Sequence, residues 1–225
     1  MMKVYFISGL GADKRIFKYI QLPEGFEGVY FDWLSAQKNE TLADYAIRMA
    51  EKIDQSSPYV VAGLSLGGMI ASELSKRLKP SFTLLISSVP VASHLPPYIR
   101  LVNKLNILKI IPIGFLKSTA LAKRVLSVMS YADVKLIQDM LKDTDAAFIR
   151  WGMKAVAEWK NETFPNPYAH IHGTWDRVLP IRYTKPTKIV KRGGHAMVVN
   201  RYVEINNWLK EQLELVAKSQ QAATN

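Results

Sequence analysis

No cysteine occurs among these 225 residues, so no disulfide staples the fold and no thiolate is available as a metal ligand or nucleophile. Histidine is scarce: His94, His170, His172 and His195 are all there are. None of them forms an H-E-x-x-H pair, and no metal site is expected. The longest apolar stretch, residues 107–116, is interrupted by Lys109, Pro112 and Gly114. It therefore falls short of the ~20 apolar residues that a spanning helix needs, and no stable membrane insertion is expected. Asp and Glu are missing altogether from residues 74–132, where nine Lys or Arg stand. Internal repeats and low-complexity segments are also lacking.

What remains is an ordinary globular composition, 48% hydrophobic and 22% charged, in a chain long enough for one sizeable core. A strand-like run at residues 4–8 starts so early that no signal or transit peptide is expected. With the absence of cysteine, this makes a cytoplasmic location the expectation. The net charge of +11 has two readings. A basic solubilising face is the plainer one; the sharper one is attraction of an anionic substrate, such as a carboxylate- or phosphate-bearing ester or thioester. No helix-turn-helix, zinc-finger or RNA-binding motif accompanies the charge, so a nucleic-acid partner is not expected.

The chemistry is concentrated in Gly63-Leu64-Ser65-Leu66-Gly67-Gly68. An apolar, β-branched run precedes it at residues 58–62, and an amphipathic helical pattern follows over residues 69–78, ended by Pro80. A serine at a strand-to-helix turn with glycines two residues away on either side is a nucleophile elbow. Side chains at 63 or 67 would collide with neighbouring backbone, and the tight turn lifts the Ser65 hydroxyl above the sheet.

A serine hydroxyl needs a base, and the base needs an orienting acid. His195 lies in Gly193-Gly194-His195, just after the strand-like residues 187–190, where glycines leave an imidazole free to swing over a neighbouring strand end. Asp176 follows another apolar strand, in His172-Gly173-Thr174-Trp175-Asp176-Arg177-Val178-Leu179-Pro180. An acid after residues 82–88 is closed off by the absence of Asp and Glu there. Asp32 is a distant competitor, His170 and His172 read as structural, and His94 reads as exposed at the start of an insertion.

The order Ser65, Asp176, His195, with the segments around each, resembles the α/β-hydrolase family over nearly the whole chain. The family's H-G-x-x-D-x-x-V-P-like segment is matched around Asp176, with Leu179 in the valine place before Pro180, and its glycine-containing segment before the base by Arg192-Gly193-Gly194-His195. Its amino-terminal H-G-x is matched by Ser8-Gly9-Leu10, with Phe17 in the aromatic place and Ser8 where the family has histidine. The resemblance implies that the backbone N–H groups of Leu10 and Leu66 form an oxyanion hole.

Alternating strand and helix patterns point to a doubly wound, mostly parallel α/β sheet of about six strands, near residues 3–8, 28–33, 59–64, 82–87, 167–172 and 187–191. Helical patterns lie at residues 41–55, 67–78 and 203–217. The expected organisation is a core at 1–89 and 166–217, a helical cap at 90–165 and an unstructured tail at 218–225. The cap residues Tyr98, Ile107, Leu108, Ile111, Phe115, Leu116, Met129, Trp151, Met153 and Trp159 would either roof an apolar pocket or merely pack cap to body. The reading is a serine hydrolase without a cofactor, most simply a carboxylesterase acting on a small molecule with an apolar or aromatic part. Thioesterase, carbon–carbon hydrolase and lyase chemistry on the same triad are the alternatives, and a slow-turnover sensor is the alternative of another class. Serine at 65 disfavours the aspartate-nucleophile enzymes of this fold.

Overall fold

A computed structural model describes residues 1–104 and 130–224. Six strands, β1 (Met2–Ile7), β2 (Phe26–Tyr30), β3 (Tyr59–Leu64), β4 (Phe82–Ile86), β5 (Tyr168–Gly173) and β6 (Lys188–Val190), form one sheet in the order β2-β1-β3-β4-β5-β6. Every neighbouring pair is parallel. The sheet is thus entirely parallel, not merely mostly so.

Helices cover both faces, and this is why the strands read as continuous apolar runs rather than alternating ones. Tyr5, Ile7, Val61 and Leu85 point to the face packed by α1 (Leu42–Ala50) and α2 (Leu66–Leu78), meeting Tyr45, Met49, Met69, Ile70 and Leu74. Val4, Phe6, Val60, Ala62, Leu84 and Ile86 point to the other face. There they meet the carboxyl-terminal helices through Met197, Val198, Trp208, Leu209 and Leu213. α1 starts where its sequence says it should: Thr41 and Asp44 form a reciprocal capping box.

Several boundaries differ from the sequence reading: α1 ends at Ala50 rather than 55, and β2 starts at Phe26 rather than 28. β2 ends at Tyr30 instead of 33, because the next residues are drawn out of the sheet. The Trp33 indole donates to the Ala12 carbonyl at 2.7 Å, and Leu34 exchanges two hydrogen bonds with the Tyr45 hydroxyl. The last helix, which follows α6 (Met197–Asn200), is α7 (Tyr202–Thr224); it runs past Ala217 into the stretch expected to be an unstructured tail. Residues 218–224 contain no Gly or Pro to stop a helix.

Between β4 and β5, which are adjacent in the sheet, the described chain is helical. It holds α3 (Pro97–Lys104), α4 (Tyr131–Asp143) and α5 (Ala146–Glu158). Two of the tryptophans proposed for a roof serve as packing. The Trp151 ring lies 4.4 Å from that of Tyr45 and its indole donates to the Glu40 carbonyl; the Trp159 indole donates to the buried Glu73 carboxylate at 2.7 Å. Tyr98 is partly exposed and donates its hydroxyl proton to the Val178 carbonyl at 2.8 Å. Ile107, Leu108, Ile111, Phe115, Leu116 and Met129 lie outside the described residues. Among the described residues, no helix is long and apolar enough to cross a membrane.

Candidate active site

Starting from β1, the chain passes out to β2 at the edge and then returns across β1 to β3. The carboxyl ends of β1 and β3 therefore flank the switch point of the sheet, where open α/β sheets place their ligands. Ser65 stands at the end of β3, and Gly9-Leu10 at the end of β1. The two loops touch, since a Cβ built on Gly9 would stand 3.3 Å from that of Ser65.

The turn at Ser65 is as tight as its glycines suggested. Ser65 has φ 53° and ψ −116°, a conformation that costs a non-glycine residue about 1–3 kcal/mol and survives only when its surroundings enforce it. Here they do. A Cβ on Gly63 would come within 2.2 Å of the Gly67 carbonyl oxygen, and one on Gly67 within 2.2 Å of the Ile7 carbonyl oxygen. The Ser65 N–H donates to Ile86, while its carbonyl accepts from the Gly68 N–H at 3.0 Å and the Ser88 hydroxyl at 2.6 Å. Ser88 was not singled out from the sequence. The only signal was its place after β4, next to the elbow strand.

The side chains of Ser65, His195 and Asp176 come from three loops and meet. His195 Nε2 lies 2.8 Å from Ser65 Oγ, and His195 Nδ1 lies 2.8 Å from Asp176 Oδ2. The acid and base loops are held together by a backbone contact that only glycine permits: a Cβ on Gly173 would stand 2.1 Å from the Gly193 carbonyl oxygen. Asp176 is buried, and its Oδ1 accepts from the Val178 and Leu179 N–H groups at 2.9 and 2.8 Å. Burial alone would raise its pKa. The His195 ring beside it and hydrogen bonds from His172 and His195 outweigh it and hold the carboxyl well below the usual carboxylate range.

Leu66 is the first residue of α2, so its N–H is one of those a helix leaves without an intrahelical acceptor. Neither the Leu66 nor the Leu10 amide has a backbone acceptor among the described residues. The Leu10 side chain is turned toward α5, where a Cβ on Gly152 would meet it at 2.6 Å. Ser8, in the family's histidine position, closes its own turn by donating to the Ala12 carbonyl at 3.0 Å.

Other candidates fall elsewhere. Asp32 is exposed and lies 4.0 Å from Lys14. His94 is half-buried against Phe164, with Nδ1 3.3 Å from the Thr184 hydroxyl. His170 and His172 are fully buried, but His172 Nε2 comes within 3.3 Å of Asp176 Oδ2. The reading of His172 as merely structural missed that contact. Among the described residues, no group of three or more His, Asp or Glu could hold a metal ion.

Comparison with known proteins agrees with this architecture. A thioesterase-domain family model matches residues 21–105, a span that includes Ser65 but neither Asp176 nor His195. No curated protein matches the chain. Solved structures similar to it include a thermophilic esterase from Thermogutta terrifontis, at 16% identity with a TM-score of 0.79, covering 96% of this chain and 90% of that one. An esterase from Exiguobacterium antarcticum shares 16% identity with a TM-score of 0.76, over 96% and 92% of the two chains. MenH from S. aureus shares 14% identity with a TM-score of 0.71, over 98% and 94%. At such identities the likeness is one of fold.

Proposed function

The chain has the α/β-hydrolase fold, and from that premise we propose that it is a serine hydrolase that cleaves a carboxylic ester through an acyl-enzyme. The observation that carries this reading is the continuous chain of contacts from Ser65 Oγ to His195 Nε2 and from His195 Nδ1 to Asp176 Oδ2, each 2.8 Å. A hydroxyl is a weak nucleophile unless a base takes its proton as it attacks. His195 takes that proton. Asp176 keeps its own proton off and accepts from Nδ1–H, which leaves Nε2 bare to act as base and stabilises the imidazolium that results.

Attack by Ser65 Oγ on the carbonyl carbon forms the C–O bond and pushes the π electrons onto the carbonyl oxygen. The Leu66 and Leu10 N–H groups receive that oxyanion, a contribution of about 10²–10³ in rate per donor. Collapse expels the alcohol, which takes its proton from His195 Nε2. Water, deprotonated by His195, then attacks the acyl carbon; Ser65 leaves with the proton, and a carboxylic acid is released. None of these steps uses a cofactor.

A thioester is the second reading, favoured by the thioesterase-domain match over residues 21–105. The same steps apply with a thiolate leaving in place of the alkoxide. The proposed substrate is a small molecule with an apolar or aromatic acyl part, and the basic surface suits one that also carries an anionic group.

The test is hydrolysis of p-nitrophenyl esters from acetate to decanoate, beside acyl thioesters of the same lengths. Activity should peak at one acyl length and disappear with Ser65→Ala. A preference for esters at that length supports the first reading, and a preference for thioesters the second. Folded protein that hydrolyses neither series, yet still labels at Ser65 with a fluorophosphonate, would move the assignment to carbon–carbon or lyase chemistry. Protein that also fails to label would be a binding or sensor protein.

A further inference from the structure

The H-G-x-x-D segment contains a residue that the proposed reaction leaves unused. His172 is fully buried on β5, four residues before Asp176. Its Nε2 lies 2.7 Å from the Leu179 carbonyl oxygen. A carbonyl can only accept, so Nε2 carries a hydrogen. The other ring nitrogen, Nδ1, lies 3.1 Å from His170 Nε2, so the two buried rings share a hydrogen bond. The Leu179 carbonyl thus fixes a hydrogen on His172 Nε2, the nitrogen that faces the acid turn.

The same N–H does two things for the acid. Leu179 donates its own N–H to Asp176 Oδ1 at 2.8 Å, and its carbonyl receives the His172 hydrogen. Through Leu179, His172 fastens the Asp176 turn to the strand below it. Its Nε2 also lies 3.3 Å from Asp176 Oδ2, the oxygen that faces His195. From above, the turn is fastened by the Tyr98 hydroxyl on the Val178 carbonyl. The Asp176 carboxylate is thereby held on every side: two backbone amides on Oδ1, and His195 with His172 on Oδ2.

We propose that His172, backed by His170, is a positioning residue for Asp176: through the hydrogen on its Nε2 it holds the acid turn in place and so fixes the orientation of His195. This rests on the serine-hydrolase reading above. The titratable groups acting on the cluster are Asp176, His195, His170, His172 and His94, the last facing His170 from the start of the insertion. Burial, with His172 and His94 beside it, pushes the His170 pKa down to about 3, so the inner ring stays neutral.

Two measurements test this without knowledge of the substrate. In the unaltered protein, ¹⁵N shifts should show a hydrogen on His172 Nε2. A ring with Nε2 bare and its hydrogen on Nδ1 would overturn the proposal, and this measurement needs no variant to fold. His172→Gln and His172→Leu are then compared, since glutamine can keep a donor near the Nε2 position and leucine cannot. His172→Leu should label at Ser65 with a fluorophosphonate about 10–100-fold more slowly, as is typical when a residue supporting a site's ligating or reacting groups is lost. Its low-field His195 Nδ1 proton resonance should broaden through exchange with water, and His172→Gln should restore both rate and resonance. Folded His172→Leu that labels at the unaltered rate with a sharp resonance would overturn the positioning role alone. Failure of the unaltered protein to label at Ser65 would instead overturn the hydrolase reading on which it rests.

Discussion

Ser65→Ala should lower kcat by about 10⁶, the loss found when a triad nucleophile is removed from a serine hydrolase of another fold. The hydroxyl is the only protein atom in the proposed mechanism that bonds to the substrate. Ser88, beside it, has its hydroxyl committed to the Ser65 carbonyl at 2.6 Å. Its position is fixed from the other side by Gly68, where a Cβ would stand 2.4 Å from Ser88 Oγ. The fold should survive. The bonds that enforce φ 53° at position 65 run through its backbone N–H and carbonyl, and both persist in alanine. Steady-state kinetics on the preferred ester, with thermal unfolding of both proteins, checks the two halves of this expectation separately. A loss in rate accompanied by unfolding would mean that the hydroxyl holds the elbow, not that it attacks.

Asp176→Asn should lower kcat by about 10⁴, the effect of the same substitution in a serine protease, and the hydrogen-bond pattern here says why. Oδ1 of Asp176 accepts two backbone N–H groups. An asparagine must therefore keep its carbonyl oxygen there, because an NH₂ in that place would face two donors. Its NH₂ then occupies the Oδ2 position, opposite His195 Nδ1 and beside the His172 N–H. His195 can no longer donate from Nδ1, so its hydrogen moves to Nε2, and Nε2 can no longer take a proton from Ser65. The loss should appear in kcat with KM little changed, because the substrate touches neither atom. A variant of nearly full activity would mean that His195 is oriented by something other than Asp176.

The sequence carried most of what lies on one segment and little of what depends on two. Ser65 was legible because a strand, a Gly-x-Ser-x-Gly turn and a helix follow one another without interruption, and glycine at 63 and 67 has a local steric cause. Asp176 and His195 were legible from short motifs at strand ends. The neighbour order of the strands was not, since an apolar run says that a strand is buried but not beside what. Adjacency of β1 to β3, which places Leu10 against the elbow, comes from the pairing of residues such as Val4 with Val60. The contacts of Ser88 with Ser65 and of His172 with the Asp176 turn were not legible for the same reason. Each residue acts on a partner through a contact made only after β4 and β5 have been laid side by side. The end of β2 was misplaced because Trp33 looks like a strand residue but is captured by Ala12, with Leu34 beside it held by Tyr45. Trp151 and Trp159 looked equally suited to a pocket or a core until their indole hydrogens were seen to be committed to Glu40 and Glu73.

The most direct test of the central claim, that Ser65 is a nucleophile activated by His195 and Asp176, is fluorophosphonate labelling read by intact mass and peptide mapping. One adduct per chain is expected, located on Ser65. It should be absent from Ser65→Ala and form far more slowly in His195→Ala and Asp176→Asn. An adduct on another residue, or labelling of Ser65 at the same rate with His195 removed, would contradict it.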